Sequence, residues 1–182
     1  ILSSIDPNKD IDGLHPLNLG KLFQNYNINF IPCTPRGCMD LLDYYKIKVK
    51  SKNIVIIGSS CLVGLPLSIC LLYRGATVTL CNIDTVDIKQ HTIKADIIIS
   101  CCGVPELIKG DWIKQGSIII DIGINKINDD SKKGYKLVGD VDFDSVKDKV
   151  THITPVPGGA GPMTIYSLIK QIVETCERKF ID

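Results

Sequence analysis

The sequence predicts an α/β fold built on a doubly wound parallel sheet. Three observations carry that prediction. Short apolar runs recur at residues 53–58, 76–81, 95–101 and 116–123. The first is an unbroken apolar run, Ile54 to Ile57, closed by Gly58, as a strand covered on both faces reads. Helical or polar segments separate the runs, which argues for parallel pairing through crossovers. Right-handed crossovers then give a Rossmann-like domain over residues 31–160.

The elements follow in order. Residues 1–30 hold a helical pattern over 17–26 and a turn at 10–13. Residues 32–37 hold a cluster of breakers, Pro-Cys-Thr-Pro-Arg-Gly. Thr34 as N-cap and Pro35 as first helical residue open a helix through Leu41, Leu42 and Tyr45. Residues 46–52 are polar and read as a linker. The first strand is 53–58, a helix spans 64–73, and the second strand is 76–81. A polar helical stretch leads to the third strand, 95–101; the fourth is 116–123. Residues 126–136 are charged and read as a surface loop, 137–140 as a short extended piece, 141–150 as a helix and 152–154 as a last strand. A helix over 162–179 closes the chain within a terminal segment, 161–182. Its Ile165, Leu168, Ile169, Ile172, Val173 and Cys176 recur at three- and four-residue steps, which predicts one buried face.

Composition narrows the function classes. Of 182 residues, 45% are apolar, enough for a core, and no run nears the ~18 apolar residues of a membrane-spanning helix. Net charge is +1, which gives no reason to invoke nucleic acid or an anionic membrane. The eight cysteines show no paired C-x-x-C spacing and lie mostly in apolar patterns, so neither a zinc site nor a disulfide framework is expected. That usage suits a reducing compartment, and cytoplasm is the expectation. The neighbours Cys101 and Cys102 read as strand-end packing before redox chemistry. The chain opens on Ile1 without a targeting pattern and reads as a cut within a longer protein.

Two glycine-rich segments carry the chemistry. Gly58-Ser-Ser-Cys-Leu-Val-Gly64 follows the first strand and opens a helix. There, backbone N–H groups and a helix N-terminus can face a pyrophosphate. Ser60 stands where the G-x-G-x-x-G pattern has its second glycine, and Gly64 comes one residue late. Position therefore argues for a cofactor more than spacing does. Asp84 lies 20 residues after Gly64, where a carboxylate can take a ribose 2′-OH and repel a 2′-phosphate. Capping of the next helix is the alternative role. The second segment, Pro155-Val-Pro-Gly-Gly-Ala-Gly-Pro-Met-Thr164, combines three prolines and three glycines ahead of a helix. His15, His91 and His152 are scattered and read as structural, and Asp121 reads as a turn cap.

With Lys-Asp-Ile-Asp-Gly-Leu-His-Pro16, Pro-Cys-Thr-Pro-Arg-Gly37, Gly-Asp-Trp-Ile-Lys114, Asp-Ile-Gly-Ile-Asn125 and Val-Gly-Asp-Val141 in the same order, the chain closely resembles the bifunctional methylenetetrahydrofolate dehydrogenase/methenyltetrahydrofolate cyclohydrolase family along its whole length. The resemblance implies oxidation of 5,10-methylenetetrahydrofolate with NADP or NAD, then hydrolysis to 10-formyltetrahydrofolate. It implies that Gly58, Ser59, Ser60, Gly64, Ile83, Asp84 and Ile124 border the cofactor. It implies that Asp12 and Pro157, Gly158, Gly159, Ala160, Gly161, Pro162, Met163, Thr164 and Ile165 border the folate. The catalytic lysine of the family's Tyr-x-x-x-Lys motif has no counterpart here and is expected upstream of Ile1, so no catalytic residue and no metal site is expected in this chain. A homodimer is implied, and the final helix is expected to return toward the N-terminal domain. The chain departs from the family pattern in having Ser59 where many members have Arg, and Asn82-Ile-Asp-Thr85 where they have a basic run; Ala160 replaces a common valine. These departures leave NADP against NAD open. They also leave room for two other readings: a structural or dimerising module that has lost its cofactor, or a Rossmann oxidoreductase with another small substrate.

Overall fold

A computed structural model describes residues 2–130 and 132–181, with side chains through Arg178. Five parallel strands form the sheet: β1 (Asn53–Ile57), β2 (Thr77–Cys81), β3 (Ile97–Ser100), β4 (Ile118–Asp121) and β7 (His152–Ile153), in the order β2-β1-β3-β4-β7. The helices are α1 (Pro16–Gln24), α2 (Cys33–Tyr44), α3 (Gly64–Tyr73), α4 (Ile88–Thr92), α5 (Phe143–Val146) and α6 (Ala160–Ile181).

The continuous apolar strands are buried on both sides because successive residues point to opposite faces. Ile54, Ile56, Ile97, Ile99 and Ile120 pack with Met39, Leu42, Leu67 and Leu71 on the α2–α3 side. Val55, Ile57, Ile98 and Ile119 pack with Ile108, Val141 and Val146 on the other. Each fully buried aliphatic side chain contributes about 1.5–3 kcal/mol. Among the described residues, no helix is long and apolar enough to cross a membrane.

Local chemistry sets several boundaries. α1 starts where His15 Nδ1 accepts from the Leu17 N–H at 3.1 Å, with Pro16 at its first position, and ends on Asn25 in the left-handed region. His15 is thus a cap, in keeping with a structural role. α3 ends at Tyr73, and Gly75 (φ 80°) then turns the chain into β2.

Five expectations are corrected. α2 begins at Cys33 with no side-chain cap, and the Thr34 hydroxyl pairs with the Thr164 hydroxyl at 3.0 Å. A tertiary partner has taken the group expected to cap the helix. Residues 46–52 are polar by count, yet Val49 is buried and Ile47 packs on the core. The charged stretch 126–136 contributes to an antiparallel hairpin, β5 (Asn125–Asn128) with β6 (Tyr135–Val138). Half-buried Ile127 and Tyr135 alternate there with exposed lysines, a period the charge count hides. Within 141–150 only α5 is helical, because Val141 is held in a parallel bridge to Ile108.

The fifth correction is the largest. α6 does not bury its apolar stripe: Ile165 is 62% exposed, Ile169 56% and Val173 49%. It buries Ser167 and Gln171 instead, at 0% and 1%. Directed polar contacts set its rotation. Gln171 Nε2 donates to the carbonyls of Ile11 (2.8 Å) and Ile31 (3.0 Å), and its Oε1 accepts from the Ile31 N–H (2.9 Å). Ser167 and Lys170 both reach the Asp40 carboxylate, and Arg36 pairs with Glu174 at 2.6 Å. Gly37 lets the helices close, since a Cβ there would lie 2.9 Å from the Met163 backbone.

Candidate functional site

The strand register puts Cys81, Ile57, Ser100 and Asp121 level with one another at the C-terminal end of the sheet. The loops that follow them therefore lie side by side. In open α/β sheets this edge holds the ligand.

After β1 the chain turns sharply. Gly58 has φ 115°, and a Cβ there would sit 2.5 Å from the Cys101 carbonyl oxygen. A Cβ at Gly64 would overlap the Gly58 carbonyl. Gly64 is buried beneath the loop and acts by its smallness. Ser60 Oγ accepts from the Val63 N–H at 3.3 Å and its carbonyl from the Leu65 N–H, tying the loop to the start of α3. Ser59 is half-exposed and Ser60 exposed, so the loop offers a polar surface beside a helix N-terminus, a setting suited to phosphate oxygens.

After β2, the turn at 82–85 is closed by its own side chains. Asn82 Oδ1 accepts from the Asp84 N–H at 3.0 Å, and Thr85 Oγ1 accepts from the Asn82 N–H at 2.9 Å. Asp84 caps no helix: α4 starts later, with Asp87 at its N-cap. Asp84 is exposed, and Ile83 is 99% exposed.

After β3 and β4, two buried aspartates organise the backbone. Asp121 accepts from the N–H groups of Gly123 (3.0 Å), Asp140 (3.1 Å) and Val141 (2.9 Å). Asp140 accepts from Ser100 Oγ (3.0 Å), the N–H groups of Cys102 (2.8 Å) and Gly103 (3.2 Å), and Asn125 Nδ2 (2.8 Å). The two are reciprocal. Each motif's aspartate sits where a Cβ on the other motif's glycine, Gly123 or Gly139, would overlap it. Burial pushes the Asp121 carboxyl up to about 6, against the pull of the N–H groups bonded to it. Ile124, 60% exposed, is held between Gly123 and Asn125. Asp121 is a turn cap, as its place at a strand end suggests. The sequence reading missed Asp140 and Asn125, although each lies in a quoted motif with a glycine beside an aspartate.

The Pro-Gly run follows β7 at the same edge. The Val156–Pro157 bond is cis and Gly158 has φ 103°. Gly159 is pressed against the Pro155 carbonyl oxygen, 2.5 Å from where its Cβ would be. Ala160 is buried; Pro157, Gly158, Pro162 and Ile165 are exposed; Gly161, Met163 and Thr164 lie between. α6 starts at Ala160, two residues before the expected Pro162. Ile124 Cδ1 lies 3.9 Å from where a Gly161 Cβ would be, so the nicotinamide-side and folate-side candidates meet there. Asp12 is exposed, and the carbonyl of its neighbour Ile11 faces the Cys33 thiol at 3.7 Å, at the end of α2 that Thr164 also touches.

A cavity of about 570 Å³ opens behind the run, between Leu41, Tyr45, Ile118, His152 and Met163. It is lined also by Gly158, Gly159 and Pro162 and by none of the Gly58-loop residues, so it is separate from that loop. Cys101 Sγ donates to the Gly58 carbonyl at 3.4 Å and Cys102 Sγ to Asp140 at 3.4 Å. Burial raises both thiols, Cys101 to about 12, which suits packing rather than redox attack. Among the described residues, no group of three or more His, Cys, Asp or Glu is placed to hold a metal.

Comparison with known proteins agrees with this fold. Residues 32–180 match the family described as tetrahydrofolate dehydrogenase/cyclohydrolase, NAD(P)-binding domain. The bifunctional protein FolD of Aquifex aeolicus is 49% identical over 180 residues, covering 99% of this chain and 60% of that protein. The mitochondrial C-1-tetrahydrofolate synthase of Saccharomyces cerevisiae is 48% identical over 184 residues, covering all of this chain and 19% of that one. Among solved structures, Campylobacter jejuni FolD superposes with a TM-score of 0.93 at 46% identity, covering 98% of this chain and 62% of that one. Trypanosoma brucei FolD, solved with NADP and an inhibitor, gives 0.92 at 38%, with 98% and 62% covered. The chain thus spans about 60% of the length of the FolD relatives it matches. It belongs to the tetrahydrofolate dehydrogenase/cyclohydrolase family, as the NAD(P)-binding portion of such a protein.

Proposed function

We propose that this chain is the cofactor-binding part of an enzyme that oxidises 5,10-methylenetetrahydrofolate to 5,10-methenyltetrahydrofolate, coupled in the whole protein to hydrolysis to 10-formyltetrahydrofolate. The observation that carries the reading is the presence of two segments at one sheet edge: Gly58–Gly64, suited to a dinucleotide, and the Pro-Gly run, suited to a folate, with Ile124 of the loop after β4 against Gly161 of that run. A bound NAD(P)+ supplies a hydride acceptor. The chain's own residues hold and orient. Ser59, Ser60 and the start of α3 receive the phosphates, Asp84 the adenosine ribose and Ile124 the nicotinamide end. Asp12 suits the aminopyrimidinone edge of the pterin, since a carboxylate accepts paired N–H bonds. The cleft is completed, and cyclohydrolysis performed, by the rest of the protein, onto which the exposed apolar face of α6 is oriented. Homodimeric assembly and a cytoplasmic setting follow from the family resemblance.

Asp84 favours NAD over NADP. It stands exposed at the end of β2, and no Lys or Arg occurs in residues 58–66 or 76–88 to meet a 2′-phosphate. Hydride transfer from deuterated methylenetetrahydrofolate by the full-length protein tests the reading. Label is expected in the reduced cofactor, faster with NAD; no transfer to either dinucleotide overturns it.

A further inference from the structure

Asp140 sits between the 102–103 turn and the Ile124 segment, and it is fully buried. Its Oδ2 gathers the Cys102 and Gly103 N–H groups and Ser100 Oγ; its Oδ1 takes Asn125 Nδ2. Asp121 closes the turns at Gly123 and at 140–141, whereas Asp140 serves the turn at 102–103 and, unlike Asp121, also reaches a side chain of the Ile124 segment.

The two oxygens act on different segments. Through Oδ2, residues 102–103 are held so that the Cys101 carbonyl backs directly onto Gly58. Cys101 Sγ also donates to the Gly58 carbonyl, so the phosphate loop and the 101–103 turn are one packed unit. Through Oδ1, Asn125 is fixed next to Ile124, whose side chain faces Gly161 of the Pro-Gly run. One carboxylate therefore spans the dinucleotide side and the folate side.

We infer that Asp140 is a positioning residue for hydride transfer: it sets the phosphate loop and the Ile124 segment in register, so that the two reactants meet at bonding distance. The inference rests on the function proposed above. Misplacement of reacting groups by about 1 Å costs on the order of 100-fold in rate. Asp140→Ala, in the full-length protein, is therefore expected to lower kcat by about that factor while the KM for the folate changes less than about threefold. Asp140→Asn keeps an acceptor for Cys102 and Gly103, and an amide flip of Asn125 can meet its new donor, so most of kcat is expected back.

Asn125→Ala removes only the Oδ1 arm from a half-buried side chain and serves if Asp140→Ala fails to fold. It is expected to lower kcat about tenfold with the dinucleotide Kd, read by calorimetry, changed less than threefold. Parental kcat in Asn125→Ala, or a folded Asp140→Ala with parental kcat, overturns the inference while the proposed function stands. A parent that neither binds a dinucleotide nor transfers hydride overturns both.

Discussion

α3 and α6 both pack against α2, yet they bury opposite kinds of side chain. α3 buries Leu67, Cys70 and Leu71 and belongs to the core. α6 buries Ser167 and Gln171 and turns Ile165, Ile169 and Val173 outward. Apolar burial holds the sheet together without fixing direction, because the hydrophobic effect is non-directional. Hydrogen bonds to the carbonyls of Ile11 and Ile31 fix a rotation and leave an apolar face free for another surface. The same division separates the strand interiors, which are apolar, from their C-terminal ends, where Asp121 and Asp140 are buried.

The contrast breaks first on the apolar side. Leu71→Ala opens a cavity in a side chain with no exposure and is expected to cost about 2–5 kcal/mol in a urea melt. A loss under ~1 kcal/mol shows that α3 does not carry the core.

The buried carboxyl sharpens the contrast through pH, to which apolar burial is blind. Asp121 is raised in the folded state from 3.8 to about 6, chiefly by burial. Its contribution is therefore fully present below about pH 4 and disappears as pH rises through 6. At about 1.4 kcal/mol per pH unit the decline is on the order of 3 kcal/mol. Urea melts between pH 4 and 7 are expected to show this decline in the parent and not in Asp121→Asn; equal slopes refute the assignment.

Gln171→Ala orphans three part-buried backbone groups and is expected to cost about 1–3 kcal/mol. It is also expected to raise amide exchange at Ile31, whose N–H loses its acceptor. Unchanged exchange there means that water replaces the side chain. The smallest effect is on the outer face: Ile169→Ser is expected to change the stability of this chain by no more than about 0.5 kcal/mol. A loss of 2 kcal/mol places Ile169 in an intramolecular core after all.

The strands were legible because burial on both faces leaves an unbroken apolar signature, as in Ile97-Ile-Ile99. The Gly58 loop was legible from its place after such a strand. The rotation of α6 was not, since Ile165, Ile169 and Ile172 have the spacing of a core face whichever surface covers them. The hairpin of Asn125–Asn128 with Tyr135–Val138 was hidden because the exposed Lys126 and Lys136 make the stretch read as a charged loop. Asp140 was hidden for another reason: its partners, Ser100, Cys102, Gly103 and Asn125, lie 15 to 40 positions before it, and only the fold brings them to one carboxylate.

The reciprocal seating of Gly123 under Asp140 and Gly139 under Asp121 constrains how this sequence can drift. A methyl group added at either glycine collides with a carboxylate rooted in the other motif. Shortening that carboxylate first strands the N–H groups it serves. The shorter side chain relieves the clash but not the stranded N–H groups, so the pair is expected to cost less than the sum of its single steps. Two segments nineteen residues apart thus form one unit of inheritance, open to paired change and closed to gradual change.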